Sequence, residues 1–463
     1  MILYLPIFIF LFLPIITGIF WVIKKNHRKH FLILTSIFLY LWVDTQNFIF
    51  IALILLFNFV VKKNKKIILY IAITINILIL SFFKLQISGL ISTEHLSTTF
   101  SFMPDQMPIG FSFFSFTSIA YLLDSFNNRI KKQTDFKHYL LYQMFFSKVV
   151  SGPIIRFPQL EKNESLSPTL LIISLGIRRF IVGLIKKVLV ADTLAIVVNQ
   201  VFTMKISETP MLISWIGMLF YTIQIFFDFS GYTDMAIGIG MFFGFQFPEN
   251  FDYPYVAKSI GEFWRRWHIT LSNWFRDYLF FPLEKYRKRK ISQMPQAINV
   301  LIIFLLTGLW HGYSFTFIVW GLIHGFAISF ENSAWGQKLK KSPAIFQHFY
   351  TLIIITFSWV FFRSPDFSYA IAYIQNLFTF DNFCFQVPVY HLTPIEYFTW
   401  LMFIIGIIFS HPFFENTLTI KDPNTTQKKL IIIGKDIVLL SLFIFAIARI
   451  FDSTFLTSLY GNF

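Results

Sequence analysis

Apolar runs broken by short polar or basic stretches make up most of the chain. Residues 1–23 form the first, and Lys24, Lys25, Arg28 and Lys29 close it. No Lys or Arg precedes this run, which reverses the charge order of a secretory signal. It reads as a membrane-crossing helix with its N-terminus outside. Residues 31–61 are too long for one crossing, and Asp44-Thr45-Gln46-Asn47 divides them into a hairpin. Lys62, Lys63, Lys65 and Lys66 return the chain to the cytoplasmic side. Residues 67–83 then cross outward, and 84–108 form an external loop carrying Pro104 and Pro108. Residues 109–126 cross back to Arg129, Lys131, Lys132 and Lys137. Three basic breaks thus alternate with three charge-poor ones, as a consistent orientation requires.

Residues 139–155 form a further run ending at Ser151-Gly152-Pro153, with Arg156 just beyond; Gly and Pro there would break a helix. Residues 170–200, with Arg178, Arg179, Lys186 and Lys187, read as a long helix partly in the cytoplasmic interface. Runs near 211–227, 232–246, 346–362, 397–410 and 430–450 bring the count to about eleven crossings. The polar stretch 421–429 reads as a loop. No linker or repeat divides the chain, so residues 1–463 are expected to form one all-α polytopic membrane domain.

Residues 258–281 have a different periodicity. At a helical repeat, Ile260, Phe263, Trp264, Trp267, Leu271, Trp274, Phe275 and Tyr278 share a sector of roughly 120°. Glu262, Arg265, Arg266, Ser272, Asn273 and Arg276 lie opposite. An aromatic face opposed by an arginine face predicts a helix lying in a membrane interface. Lys285, Arg287, Lys288, Arg289 and Lys290 place its end on the cytoplasmic side. His268 falls near the edge of the apolar sector, and so faces protein or lipid. There it is either capped by a carbonyl or open to an internal cavity.

Composition sharpens the class. The chain is 56% hydrophobic and 14% charged, with 63 Phe, and its mean hydropathy is +0.63. A soluble fold would leave large apolar patches exposed. The net charge of +15, from 39 basic and 24 acidic residues, does not indicate nucleic-acid binding, because the basic residues concentrate in the short breaks. A single cysteine, Cys384, excludes an internal disulfide and a multi-cysteine metal site.

Candidate chemistry concentrates at Gly308-Leu309-Trp310-His311-Gly312, between two runs that are each shorter than the ~20 residues of a comfortable crossing. A histidine at membrane depth is either packing glue or a functional group. Asp228 and Asp234, in Phe227-Asp228-Phe229-Ser230-Gly231-Tyr232-Thr233-Asp234, need cationic partners, and Arg265, Arg266 and Arg276 are available. Gly238, Gly240 and Gly244, and the Gly308-xxx-Gly312 spacing, suit close helix packing.

Three stretches together resemble the membrane-bound O-acyltransferase family, in its branch of bacterial alginate and peptidoglycan O-acetylation proteins. They are Phe227 to Tyr255, Ser259 to Leu283 and Gly308 to Gly325. Pro108 to Asp124, Ser151 to Arg156 and Phe361-Phe362-Arg363 add weaker support. The resemblance implies that His311 is the catalytic histidine, that His268 is a second functional position, and that a tunnel with re-entrant and interfacial helices joins a cytoplasmic donor side to an outer acceptor side. Two stretches depart from the family pattern: Glu284-Lys285-Tyr286-Arg287 after Pro282-Leu283, and a C-terminal aromatic signature reduced to Tyr460 and Phe463.

Acyl transfer to a hydroxyl needs a base, an activated donor and stabilisation of an oxyanion. A neutral imidazole at His311 suits the base, or alternatively a transient nucleophile. His268 would position the donor or polarise its carbonyl. Trp264, Trp267, Asn273, Arg276 and Trp310 are candidate substrate contacts, and Trp310, Trp267 or an arginine the oxyanion donor. The expected donor is acetyl-CoA or another acyl thioester, with no permanently bound cofactor and no metal. The expected acceptor is an extracytoplasmic polysaccharide or a partner acetyltransferase, reached from the bacterial cytoplasmic membrane. The competing readings are D-alanyl transfer from a carrier protein to teichoic acid, a membrane transporter, and a non-catalytic scaffold.

Overall fold

Helices account for every regular element of the structure, a computed structural model that describes residues 3–61, 65–91, 106–130, 135–163, 165–380, 396–414 and 426–452. In chain order they are α1 (Leu13–Val22), α2 (Lys25–Val43), α3 (Phe48–Val61), α4 (Lys66–Ile87), α5 (Phe111–Phe126), α6 (Phe136–Met144), α7 (Phe157–Asn163), α8 (Leu170–Ile185) and α9 (Asp192–Thr203). There follow α10 (Met211–Phe242), α11 (Ile260–Arg266), α12 (Ile269–Phe275), α13 (Phe281–Lys290), α14 (Gln296–His311) and α15 (Phe315–Glu331). The last are α16 (Ala334–Lys340), α17 (Ala344–Arg363), α18 (Phe367–Asn376), α19 (Tyr397–Phe409) and α20 (Thr426–Asp452). One contiguous buried apolar cluster draws residues from Leu3 to Ile450. Lys62, Lys63, Pro104, Lys131, Lys132, Cys384, Tyr460 and Phe463 lie outside the described residues.

Four described helices are long and apolar enough to cross a membrane: α4, α10, α17 and residues 431–451 of α20. Several others are apolar but shorter, at 10–17 residues, so helix length alone does not return eleven crossings. The Asp44 break divides α2 from α3 as expected, and its carboxylate ties the turn down by accepting the Ile109 backbone N–H at 2.8 Å.

Five expectations are corrected. The runs 211–227 and 232–246 are one helix of 32 residues, α10. Gly231 does not break it, because Gly183 and Gly231 let the backbones of α8 and α10 touch: a Cβ at Gly183 would lie 2.5 Å from the Gly231 carbonyl oxygen. Residues 139–155 are not a crossing, since α6 ends at Met144 and turns carry the chain on to Ile154. Lys84 is not in an external loop but in α4, where it is buried. Asp228 and Asp234 pair with cations preceding α10: Lys187 bonds Asp228 at 2.8 Å, and Lys186 and Arg179 each bond Asp234 at 2.6 Å. Those cations lie on α8 and on the π-helical turn Lys186–Ala191 after it, both packed alongside α10, and so meet its carboxylates more directly than the arginines after residue 260.

The fifth correction concerns residues 258–281. They are not one helix but α11, a break at Trp267 and His268, α12, and a π-helical turn over Arg276–Phe280. The aromatic face is nevertheless buried throughout, from Ile260 to Tyr278. It packs on the protein core rather than on lipid. A half-turn re-aimed at His268 keeps both short helices facing inward, which is why the period survives the break.

The short runs 297–309 and 315–330 form the antiparallel pair α14 and α15, turning at Gly312–Ser314. Their backbones meet directly. A Cβ on Gly308 would overlap the Phe317 carbonyl oxygen, and one on Gly321 the Phe304 carbonyl oxygen. Ser314 starts α15 by accepting the Thr316 N–H, and the Tyr313 N–H bonds Ser88 just past α4 at 3.2 Å.

Candidate active site

His311 is the last residue of α14, 5% exposed. Aromatic rings enclose it: Trp310 at 4.5 Å between centroids, Phe362 at 4.8 Å and Trp320 at 5.1 Å, the latter two edge-on. An imidazole held among ring faces and edges keeps its orientation with few polar anchors.

His268 approaches from the break between α11 and α12. Its backbone is left-handed, with φ 44°, a conformation uncommon outside glycine and found where the surroundings hold it in place. The side chain is 1% exposed. Its ring lies 4.7 Å from Phe229 and 6.4 Å from Trp310. Trp310 therefore neighbours both histidines. Among the described residues its indole N–H has no hydrogen-bond partner, and neither has Nε2 of His268. Buried donors and acceptors are seldom left unpaired without a role or a water.

Lys84, buried in α4, places its Nζ 5.9 Å from the Trp310 ring and within electrostatic reach of His311. It was missed from sequence, because a lysine ending an apolar run looks like any loop boundary. His324 was missed too. It accepts the Trp264 indole N–H at Nδ1, 3.2 Å away, and its Nε2 lies 3.1 Å from Ser358 Oγ.

The other predicted contacts divide. Trp264, Asn273 and Arg276 line a groove of about 410 Å³, with Leu271, Phe304 and Thr307. That volume is in the range of small-molecule sites. Thr307 is one helical turn before His311, so the groove climbs α14 towards the histidine. Arg276 bonds Asp277 at 2.8 Å, and Arg156 also bonds Asp277. Trp267 takes no part in the groove. It packs behind the site, 5.1 Å from Trp359.

Farther along, Glu284 accepts from Arg287 at 2.6 Å and from Asn299 at 3.0 Å. The Arg287 hydrogen bond pulls its carboxyl down to about 2. The residues departing from the family pattern there thus bind α13 to the start of α14.

The chain is 34% identical to the "Probable alginate O-acetylase AlgI" of Pseudomonas putida, over 81% of this chain and 80% of that one. It is 31% identical to the "Peptidoglycan O-acetyltransferase" of Helicobacter pylori, over 80% and 79%. It is also 31% identical to the "Teichoic acid D-alanyltransferase" of Bacillus subtilis, over a smaller 56% and 68%. Residues 30–363, a range that includes both histidines and the whole groove, match the MBOAT family model, and the chain belongs to the membrane-bound O-acyltransferase family: it is an acyltransferase.

Proposed function

We propose that this enzyme moves an acetyl group from a cytoplasmic thioester, acetyl-CoA or an acetylated carrier, towards hydroxyls of an extracytoplasmic polysaccharide of the alginate or peptidoglycan kind. It acts across the bacterial cytoplasmic membrane, directly or through a partner transferase. The observation that carries this reading is the packing of His311 and His268 on Trp310, one helical turn beyond Thr307 in a groove that also holds Arg265 and Arg276.

The groove takes the donor, with Arg265 and Arg276 meeting its anionic part and the apolar wall its arm. His311 removes the acceptor hydroxyl's proton as the oxygen attacks the thioester carbonyl. A carbon–oxygen bond forms and an oxyanion develops, which the Trp310 N–H stabilises. Collapse breaks the carbon–sulfur bond, and the proton on His311 passes to the departing thiolate. Ester and free thiol leave, and the imidazole is neutral again.

The test is base-labile acetate released from purified cell-wall polysaccharide, compared between wild type, a deletion strain and the deletion complemented with His311→Gln. Acetate present only with the wild-type gene supports the proposal. Base-labile D-alanine changing in its place would shift the assignment to teichoic acid. No change in either would remove it.

A further inference from the structure

Asn250 lies 18 residues before His268, in the segment after α10, and is 1% exposed. Its side-chain oxygen gathers three groups. The Thr270 backbone N–H reaches it at 3.2 Å, the Thr270 hydroxyl at 2.8 Å, and Nδ1 of His268 at 3.1 Å. The Asn250 backbone carbonyl also accepts the Ile269 N–H at 2.9 Å.

Proton counting settles the roles. A backbone N–H can only donate, so the amide atom that Thr270 meets is the oxygen. The Thr270 hydroxyl already accepts the Ile154 N–H at 3.0 Å, so its own proton goes to Asn250. An amide oxygen accepts only. Nδ1 of His268 must then carry a proton, and in the neutral ring Nε2 holds the lone pair. That nitrogen is buried and unpartnered among the described residues.

We propose that Asn250 is a positioning residue that holds His268 in the Nδ1–H tautomer, so that Nε2 accepts a hydrogen bond from a hydroxyl of the acyl acceptor. This rests on the reading of His311 and His268 as groups that meet substrate. In this tautomer the ring's one proton is held by Asn250 and Nε2 has none with which to polarise the donor carbonyl, so its task is to seat the acceptor. The oxyanion is left to Trp310, whose N–H can only donate. Thr270 and the left-handed backbone at His268 belong to the same device: they fix the direction from which Nδ1 meets the amide oxygen.

The experiment is a double-mutant cycle in whole cells. Cells are pulsed with labelled acetate, and the initial rate of base-labile label entering cell-wall polysaccharide is normalised to the membrane abundance of each variant. Asn250→Ala is expected to lower the rate by at least roughly tenfold, as loss of an orienting partner of a working imidazole does. Asn250→Asp keeps an oxygen for all three donors and is expected to recover most of that loss. Because Asn250 acts through His268, adding Asn250→Ala to His268→Ala is expected to cost nothing further. If Asn250→Ala does not accumulate, Asn250→Ser, whose hydroxyl is too short to reach Nδ1, takes its place in the cycle.

A further loss in the double variant would make Asn250 a structural residue and overturn the proposal. So would a near-normal rate in Asn250→Ala while His268→Ala is inactive. Near-normal rates in both His268→Ala and His311→Gln would instead remove the underlying reading of the site.

Discussion

His324 and His268 are both buried and lie among tryptophan and phenylalanine rings, yet only one has hydrogen-bonding capacity to spare. His324 accepts a hydrogen bond from the Trp264 indole N–H at Nδ1. Ser358 spends its own proton on the Ile355 carbonyl, so the bond at Nε2 runs from His324 to the serine oxygen. Both ring nitrogens are engaged, and the ring bridges α11 and α17. Among the described residues His268 is engaged at Nδ1 alone. Burial and aromatic company therefore do not mark a working histidine here. An unspent lone pair sets the two apart, because a finished fold rarely leaves one in its interior.

His311 offers the strongest way to break this contrast. Changing it to Gln keeps comparable bulk and amide bonding but removes the basic nitrogen. Acetylation should fall by roughly 10²–10⁴-fold, as for loss of a general base, with membrane abundance near normal. A well-accumulated, active His311→Gln protein would reduce this histidine to the status of His324.

Trp310→Phe is next in size. It deletes the unpaired N–H while keeping most of the ring surface. The rate should drop by roughly 10²–10³-fold, the range for losing one oxyanion donor. Comparable loss from Trp320→Phe, whose indole N–H is also unpaired among the described residues, would move the oxyanion site to the other side of His311.

The sequence shows one half of this contrast better than the other. The paired short runs around Gly312 are legible as two apolar segments with a histidine between them, and the structure folds them into a hairpin. The aromatic positions from Ile260 to Tyr278 are buried as their period implies. The break at His268 leaves no trace, since a turn that keeps both faces inward preserves the repeat. Whether Gly231 ends a helix depends on what packs there, and Gly183 is 48 positions away. Asn250 and Ser358 are ordinary polar residues until the chain folds and brings histidines to them.

His324→Ala tests the saturated side. It orphans the Trp264 N–H and frees Ser358, which should cost about 1–3 kcal/mol of stability. The effect should appear as a lower thermal transition of the detergent-purified protein. Activity per folded molecule should stay within roughly threefold, well short of the loss at His311.

The smallest effect concerns a carboxylate that is saturated in the same sense. Glu284, held to about 2 against an ordinary 4.5 by Arg287, contributes stability that is fully present above its ordinary value and lost as pH falls through about 2. Glu284→Gln should therefore melt slightly below wild type at neutral pH. The gap should narrow as pH drops below about 4. A gap independent of pH would mean that packing, not the charge, sets the contribution.

The direct backbone contact at Gly308 and Gly321 also bears on motion. With no side chain between α14 and α15 at the crossing, there is no rotamer to change and no gap to close. The wall carrying His311 is therefore stiff, and shifts as one body or not at all. α11 and α12, by contrast, are short segments joined at Trp267 and His268. In relaxation measurements on the microsecond-to-millisecond scale, exchange belongs to probes in α11 and α12, while probes along the α14–α15 crossing stay quiet.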